Sequence, residues 1–454
     1  MSDSHSRRAM RRVIRLSAVV ALAAIVWVAA LPARAMTIEP IRSPGGIEAW
    51  LVREPAVPLV TLNFAFPGGS SQDPQGKDGL ANLVASLLDE GAGQYDSTAF
   101  HGRLEENAVE FRFSATRDDF RGTMRVLKEH RDEAFELMRL MLNEPRFDPS
   151  AVERMRAQTL AVLARYQEQP ERVAARAWWA AAFPGHPYGR PARGTVETVG
   201  KVTIDDLKDY RRRVFAREGL KVAIVGDIDA AAAGTMLDKI FGGLAAKGEL
   251  TPVPDVKPLG LGSRVLRDLN VPQATIVFGG AGISRGDPDF IAAYIVNYIL
   301  GGGSFSSRLY NEVREKKGLA YGIHERLVWL RHGSVVLGST ATRSDRAAEA
   351  LAITEREIDR MRESGPTADE LEKAKSYLKG SYALSLDSST KIAAQLVQIQ
   401  LDDLGIDYIG KRSGLIDAVT LDDAKRVAKR LFEGGLLVSV AGRPRGLTAN
   451  APGG

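Results

Sequence analysis

The chain has 454 residues, 44% of them hydrophobic, which exceeds what one compact domain ordinarily holds and points to two domains of about 200 residues each. Of its 61 basic and 56 acidic residues, six Arg and one Asp fall in the first 35, so the formal +5 charge belongs to that segment and the remainder is neutral. Nothing in the charge balance therefore argues for nucleic acid or an anionic membrane surface, and the absence of Cys excludes disulfides, a thiolate zinc site and a thiol nucleophile.

Arg7, Arg8, Arg11, Arg12 and Arg15 precede an apolar run from Leu16 to Leu31 that ends in Ala33-Arg34-Ala35. This is the layout of an export signal with an A-x-A cleavage site, and residues 1–35 are read as a signal peptide. A retained membrane anchor is the other reading, because the run nears the lower limit for a span. The Arg pairs leave the twin-arginine and general export routes both open. The expected location is outside the cytoplasm, and the periplasm if the source is a Gram-negative bacterium.

Residues 36–245 carry the pattern of a first domain. Val60, Leu62, Phe64 and Phe66 alternate with Thr61, Asn63 and Ala65, which predicts a half-buried strand stopped by Pro67-Gly68-Gly69. Leu80, Leu83, Val84, Leu87 and Leu88 then form a helical stripe, with Asn82, Ala85 and Ser86 off it. Strands follow around Val109–Ala115 and Phe120–Leu127, then a helix bearing Ala134, Leu137, Met138, Met141 and Leu142. Long helical patterns run from Pro149 to Gln169 and from Glu171 to Phe183, before the loop GHPYGRPARG at 185–194. Thr203 caps a further helix, which leads to the strand LKVAIVG at 220–226 and an Ala-rich helix ending near Gly242 and Gly243.

The Pro- and Gly-rich stretch 246–263 is the expected linker, residues 264–446 a second domain, and 447–454 a tail. The second domain repeats the first. Thr203-Ile-Asp-Asp-Leu-Lys recurs as Thr420-Leu-Asp-Asp-Ala-Lys, 217 residues later, each followed by a helix and a V-x-V-x-G-type strand. The same offset relates Pro149-Ser150-Ala151-Val152-Glu153 to Pro366-Thr367-Ala368-Asp369-Glu370, where Thr367 and Glu370 form a capping box. Two matches at one offset argue for an internal duplication, and each copy reads as an α+β unit with helices on a mostly antiparallel sheet.

Within the second copy, the stretch GGGSFSSRLYNEVREKKGLAY at 301–321 follows a helical run from Phe290 to Leu300. Arg314 and Tyr321 flank Gly318, seven residues apart, so a turn between them can aim two hydrogen-bond donors at one oxyanion; unrelated surface and core positions are the plainer reading of that spacing. A phosphate cradle at Gly301–Gly303 is rejected, because no G-K-[ST] follows.

DPQGKDGLANL at 73–83, HPYGRPARGT at 186–195, VTIDDLKDY at 202–210, VAIVGD at 222–227, the 301–321 stretch and SYALSLDSSTKIAAQL at 381–396 together resemble the pitrilysin and insulinase group of zinc metallopeptidases, the inverted zincins. The resemblance covers nearly all of the chain after the signal segment. It implies two homologous α/β-roll domains forming half of a clamshell that closes with another half around an extended peptide. Active members carry H-x-x-E-H, two His one helical turn apart holding Zn²⁺ and a Glu activating water. Those positions here are Asn82, Ala85 and Ser86, and the third ligand is missing because 157–166 holds no carboxylate. His101, His130, His186, His324 and His332 offer no ligand spacing, and His186 is read as a structural loop residue.

No metal and no cofactor are therefore expected in this chain. The resemblance also implies that Arg314 and Tyr321 reach the substrate from the half opposite the zinc and stabilise the tetrahedral oxyanion, with Gly301, Gly302, Gly303 and Ser304 in the substrate-binding loop. The expected function is a zinc-free subunit of a heteromeric peptidase, paired with an H-x-x-E-H chain that brings the zinc and acting on peptides. The alternative is a zinc-free scaffold or peptide-binding protein of a cell-envelope complex, and a membrane enters only if the leader is retained.

Overall fold

Val60, Leu62, Phe64 and Phe66 alternate as their spacing requires and form the centre of the first of two sheets. A computed structural model describes residues 36–450; the expected signal peptide, with its Leu16–Leu31 run, and the last four residues of the expected tail lie outside the described residues. Among the described residues no helix is long and apolar enough to cross a membrane.

The strands in chain order are β1 (Glu39–Arg42), β2 (Glu48–Arg53), β3 (Leu59–Pro67), a two-strand hairpin of β4 (Gly91–Ala92) and β5 (Tyr95–Asp96), then β6 (Glu110–Ala115), β7 (Asp119–Leu127) and β8 (Lys221–Gly226). The second half adds β9 (Arg264–Arg267), β10 (Gln273–Ala281), β11 (Ala320–Leu330), β12 (Gly333–Arg343) and β13 (Leu437–Ala441). The first sheet runs β1-β2-β8-β3-β7-β6 and the second β11-β12-β10-β13-β9. In both, a central strand pairs antiparallel with two neighbours, and the closing strand pairs parallel with the next one out, β8 with β2 and β13 with β9. The shared strand order and the Thr203 and Thr420 capping boxes make the duplication structural.

Packing is duplicated too. Phe64 on β3 lies where a Cβ on Gly122 of β7 would stand 2.2 Å from its ring, and Phe278 on β10 stands likewise 2.3 Å from a Cβ on Gly338 of β12. Only glycine on the neighbouring strand leaves room for either ring.

Two expectations change. β3 is buried on both faces, not one: Thr61, Asn63 and Ala65 are covered as well. The cover is the Ser389–Leu401 helix of the second half, which packs on β3 and β8 and donates from Gln400 Nε2 to the Val222 carbonyl at 2.9 Å. Reciprocally, the Pro170–Ala182 helix of the first half packs under β10 and β13, and Trp178 Nε1 donates to the Leu437 carbonyl at 2.9 Å. Each half thus covers the second face of the other's sheet. Secondly, the helix at Leu80 stops at Ala85, and Leu87 and Leu88 are buried in the turn beyond it.

The stretch 246–263 is tied down along its length. Gln72 exchanges two bonds with the Thr251 backbone, Val256 N donates to the His332 carbonyl at 2.8 Å, and Leu259 N donates to the Ala182 carbonyl at 2.8 Å.

Candidate functional site

Two regions carry the chemistry the sequence singles out, one in each half. In the first, Gly79 (φ +97°) opens the Leu80–Ala85 helix, and Asp73 accepts from the Gly79 and Ala81 amides at 2.8 and 2.9 Å. Burial lifts the Asp73 carboxyl to about 7, against the pull of those two amides and of Arg190. Asn82 spends its amide donor on the Ala192 carbonyl at 2.8 Å, Ser86 donates to the Leu83 carbonyl at 2.9 Å, and the Ala85 methyl is buried. These residues do not fit a zinc ion, because an amide, a methyl and a hydroxyl turned back on its own helix offer no strong ligand. The Pro149–Tyr166 helix brings no carboxylate from 157–166, and among the described residues no cluster of three or more His, Asp or Glu is arranged to hold a metal. His186 is built into its loop: Nδ1 accepts from the Tyr188 amide at 3.1 Å and Nε2 donates to the Pro254 carbonyl at 3.0 Å.

The second region begins where the Phe290–Asn297 helix widens into a π-helical turn, Tyr298–Gly302, in which Gly303 N donates to the Tyr298 carbonyl at 2.8 Å. The helical path continues past the Phe290–Leu300 run, since Gly301 and Gly302 still lie within it. Gly301 is buried against β11, where a Cβ would stand 2.5 Å from that of Glu325, so its part is close packing. Gly302, Ser304 and Phe305 are exposed, and Ser304 adopts φ +46°. A second π-helical turn, Tyr310–Glu315, carries Arg314. Such turns are uncommon and recur at functional sites.

Beyond Gly318 the chain enters β11, whose register against β12 slips between Ala320 and Ile323. A bulge of this kind re-aims side chains, and Tyr321 stands 93% exposed there. Arg314, only partly exposed, pairs with Glu315 and lies 5.3 Å over the Tyr310 ring. Its guanidinium is held above the ordinary range by Glu315 first, then by Tyr310 and last by Tyr321. Arg314 and Tyr321 thus lie on either side of Gly318 in the second half, and Asn82, Ala85 and Ser86 lie in the other half.

Three supporting residues escape sequence reading. Glu325 is fully buried, accepts from Asn297 Nδ2 at 2.9 Å, and has a second carboxyl oxygen without a partner; burial pushes it up to about 8. Asn297 also accepts from the Leu327 amide at 3.3 Å, tying the π-helical turn to β11. Arg308 grips Glu370 through two nitrogens at 2.7 and 2.6 Å and donates to the Gly365 carbonyl at 3.1 Å. The capping box at Thr367 and Glu370 was the available signal; its second duty as an anchor for the 301–321 loop needs the fold to be seen.

A cleft of about 1180 Å³ runs between the halves. Its walls come from the β6–β7 turn, from the sheet-edge strand β11 at Arg326–Arg331, and from the end of the Ser389–Leu401 helix. Arg121, Lys221, Arg285, Arg326 and Arg331 line it together with Asp118, Asp119, Asp402 and Asp403, and Arg121 and Arg331 both pair with Asp119.

A duplicated α/β roll with a degenerate zinc position defines an inactive-type half of an inverted zincin. Residues 50–196 match the family Insulinase (Peptidase family M16), and residues 201–378 match the Peptidase M16 inactive domain. The chain belongs to the peptidase M16 family. It is 28% identical over 329 residues to a non-peptidase homolog, YmxG, of Helicobacter pylori, covering 72% of this chain and 76% of that one. It is 22% identical to an uncharacterized zinc protease, YmxG, of Bacillus subtilis, over 85% and 94% of the two chains. The crystal structure of a peptidase M16 inactive domain from Pseudomonas fluorescens superposes with a TM-score of 0.84 at 25% identity, covering 92% of this chain and all of that one.

Proposed function

We propose that this chain is the zinc-free subunit of a two-chain peptidase. It supplies half of the chamber, and Arg314 and Tyr321 bind the scissile region of a peptide whose hydrolysis is carried out by a partner bearing H-x-x-E-H and zinc. The observation that carries this reading is the contrast between the two regions. At Asn82 and Ser86 the donors are consumed inside the fold and Ala85 has none, whereas Tyr321 stands exposed at a bulge and Arg314 reaches solvent from a π-helical turn, next to the Arg308 and Glu325 anchors. A scaffold has no use for two oxyanion donors kept at the surface. β11, a sheet edge along the charged cleft, offers backbone groups to an extended peptide. Export through the leader at 1–35 belongs to the same proposal.

The test is peptidase activity on quenched peptides with the purified chain, a co-expressed H-x-x-E-H homologue, and the two mixed, with metal content measured in each. Activity and zinc confined to the mixture, with Tyr321→Phe losing about a hundredfold of turnover, support the proposal. Stoichiometric zinc and activity in this chain alone defeat it. Complex formation without activity transfers the assignment to a zinc-free scaffold or peptide-binding protein.

A further inference from the structure

A second cavity, of about 270 Å³, lies wholly within the second half, and Phe290, Tyr294, Trp329, Tyr382 and Tyr408 give it an aromatic wall. Two guanidinium groups face it, and they are in different states. Arg285 is compensated: it donates to the Tyr408 hydroxyl at 2.7 Å, lies 3.7 Å from the Asp402 carboxylate, and covers the Phe290 ring at 4.2 Å. Asp402 is in turn held by Gln398 Nε2 at 2.9 Å and Trp329 Nε1 at 3.2 Å. Arg412 has no such counter-charge. It is 7% exposed, donates once to the Leu378 carbonyl at 2.9 Å, and lies 4.2 Å over the Tyr382 ring and 6.0 Å from that of Tyr294. No carboxylate among the described residues pairs with it. Beside it the Tyr382 hydroxyl is shielded from solvent and has no hydrogen-bond partner.

Burying a guanidinium without a counter-ion is costly, and one carbonyl and two ring faces return only part of that cost. The fork of Arg matches a carboxylate through two parallel bonds, and a phenol adds a third donor. Since Arg285 and Asp402 offset one another, the cavity carries a net charge of one. We propose that it is a binding site for a monoanionic carboxylate with an aromatic or branched apolar body. The carboxylate sits on Arg412 and the Tyr382 hydroxyl, and the body lies among Phe290, Tyr294 and Trp329. Arg285, Trp329, Gln398, Asp402 and Leu404 line both this cavity and the wide cleft. The carboxylate therefore has two sources of the same chemistry, a free aromatic acid or the C-terminal residue of a peptide.

Calorimetric titration of the purified protein tests this without a partner chain or peptidase activity, so its outcome is separate from that of the proposed function. The probes are 3-phenylpropionate, its neutral amide, and a pentapeptide ending in Phe with a free or an amidated C-terminus. The expected result is saturable binding of at least one free-acid probe, its amide weaker by about tenfold or more. Arg412→Gln removes that preference. Tyr382→Phe, which deletes a hydroxyl with no partner in the fold, leaves the melting temperature unchanged and weakens the acid by about three- to tenfold. A free-ended peptide binding tighter than phenylpropionate assigns the site to peptide termini, and the reverse order assigns it to a free acid. Equal binding of acids and amides, or none of either, overturns the proposal. So does an acid affinity unchanged by Tyr382→Phe, the variant that decides the matter if Arg412→Gln fails to fold.

Discussion

Glu325 sits between His324 and Arg326, in a run that reads as a solvated strand edge, yet it is the one carboxyl in the second half buried completely and answered by a single neutral amide. Its consequence is a pH dependence with a definite sign. The folded chain holds this proton up to about 8, while the unfolded chain releases it near 4.5, so the folded state binds more protons between those values and stability falls as pH rises through them. Glu325→Gln keeps the bond with Asn297 and removes the titration. Denaturant unfolding at pH 5, 6.5 and 8 is expected to show wild type losing ground to Glu325→Gln by up to about 1.4 kcal/mol per pH unit. Parallel pH profiles for the two proteins would mean that Glu325 is ionised in the fold. Residues such as Arg314 and Tyr321 are singled out in the sequence because a motif carries them. Glu325, Asn297 and Arg308 are not, since burial and a partner 28 or 62 residues away are properties of the fold.

At the scale of elements, period and capping set most of the outline. The Thr203, Thr367 and Thr420 capping boxes start helices where the sequence places them, and the strand order repeats as the 217-residue offset implies. Illegible was the second face of β3, because Thr61 and Asn63 look like solvent-facing residues until a helix from the other half covers them. The glycines opposite the paired phenylalanines belong to this level as well. Gly338→Ala sets a methyl 2.3 Å from the fully buried Phe278 ring, and with both sheet faces covered the ring has nowhere to go. The expected loss is about 1–3 kcal/mol by denaturant titration, with Gly122→Ala alike and Gly410→Ala, at an open helical position, gaining up to about 1 kcal/mol. The short Leu80–Ala85 helix gives a second prediction. Asn82→His, Ala85→Glu and Ser86→His made together restore H-x-x-E-H in sequence only, because Ser86 lies past the last helical residue and 157–166 adds no carboxylate. Metal analysis of the triple variant after dialysis is expected to show well under one zinc per chain and no peptidase activity. One tightly held zinc would show that the helix end rearranges around the metal.

For the whole molecule the exchange of helices decides how the halves behave. The face of the first sheet carrying Thr61, Asn63 and Ala65 is closed by Ser389–Leu401, and the face of the second carrying Val277 and Leu437 is closed by Pro170–Ala182 through Trp178 and Phe183. Residues 246–263 are bonded at Thr251, Val256 and Leu259 to both halves, so the expected tether is a strap. Losing either half would uncover a buried sheet face in the other, with the apolar surface of Ala65 on the first sheet and of Val277 and Leu437 on the second. The halves are therefore expected to unfold in a single calorimetric transition, despite the duplicated sequence. Trp178→Ala probes the coupling, since it opens a cavity in the shared cluster and leaves the Leu437 carbonyl without its indole donor. A loss of about 3–5 kcal/mol that lowers the whole transition is the expected result. A transition that splits in two, one part keeping the wild-type midpoint, would instead mean that each half is stable alone. Cooperative unfolding bears on the proposed function, because a half-shell that does not hinge keeps Arg314, Tyr321 and the charged cleft in fixed relation, and the chamber of the proposed two-chain peptidase would then be completed by docking a second shell against it.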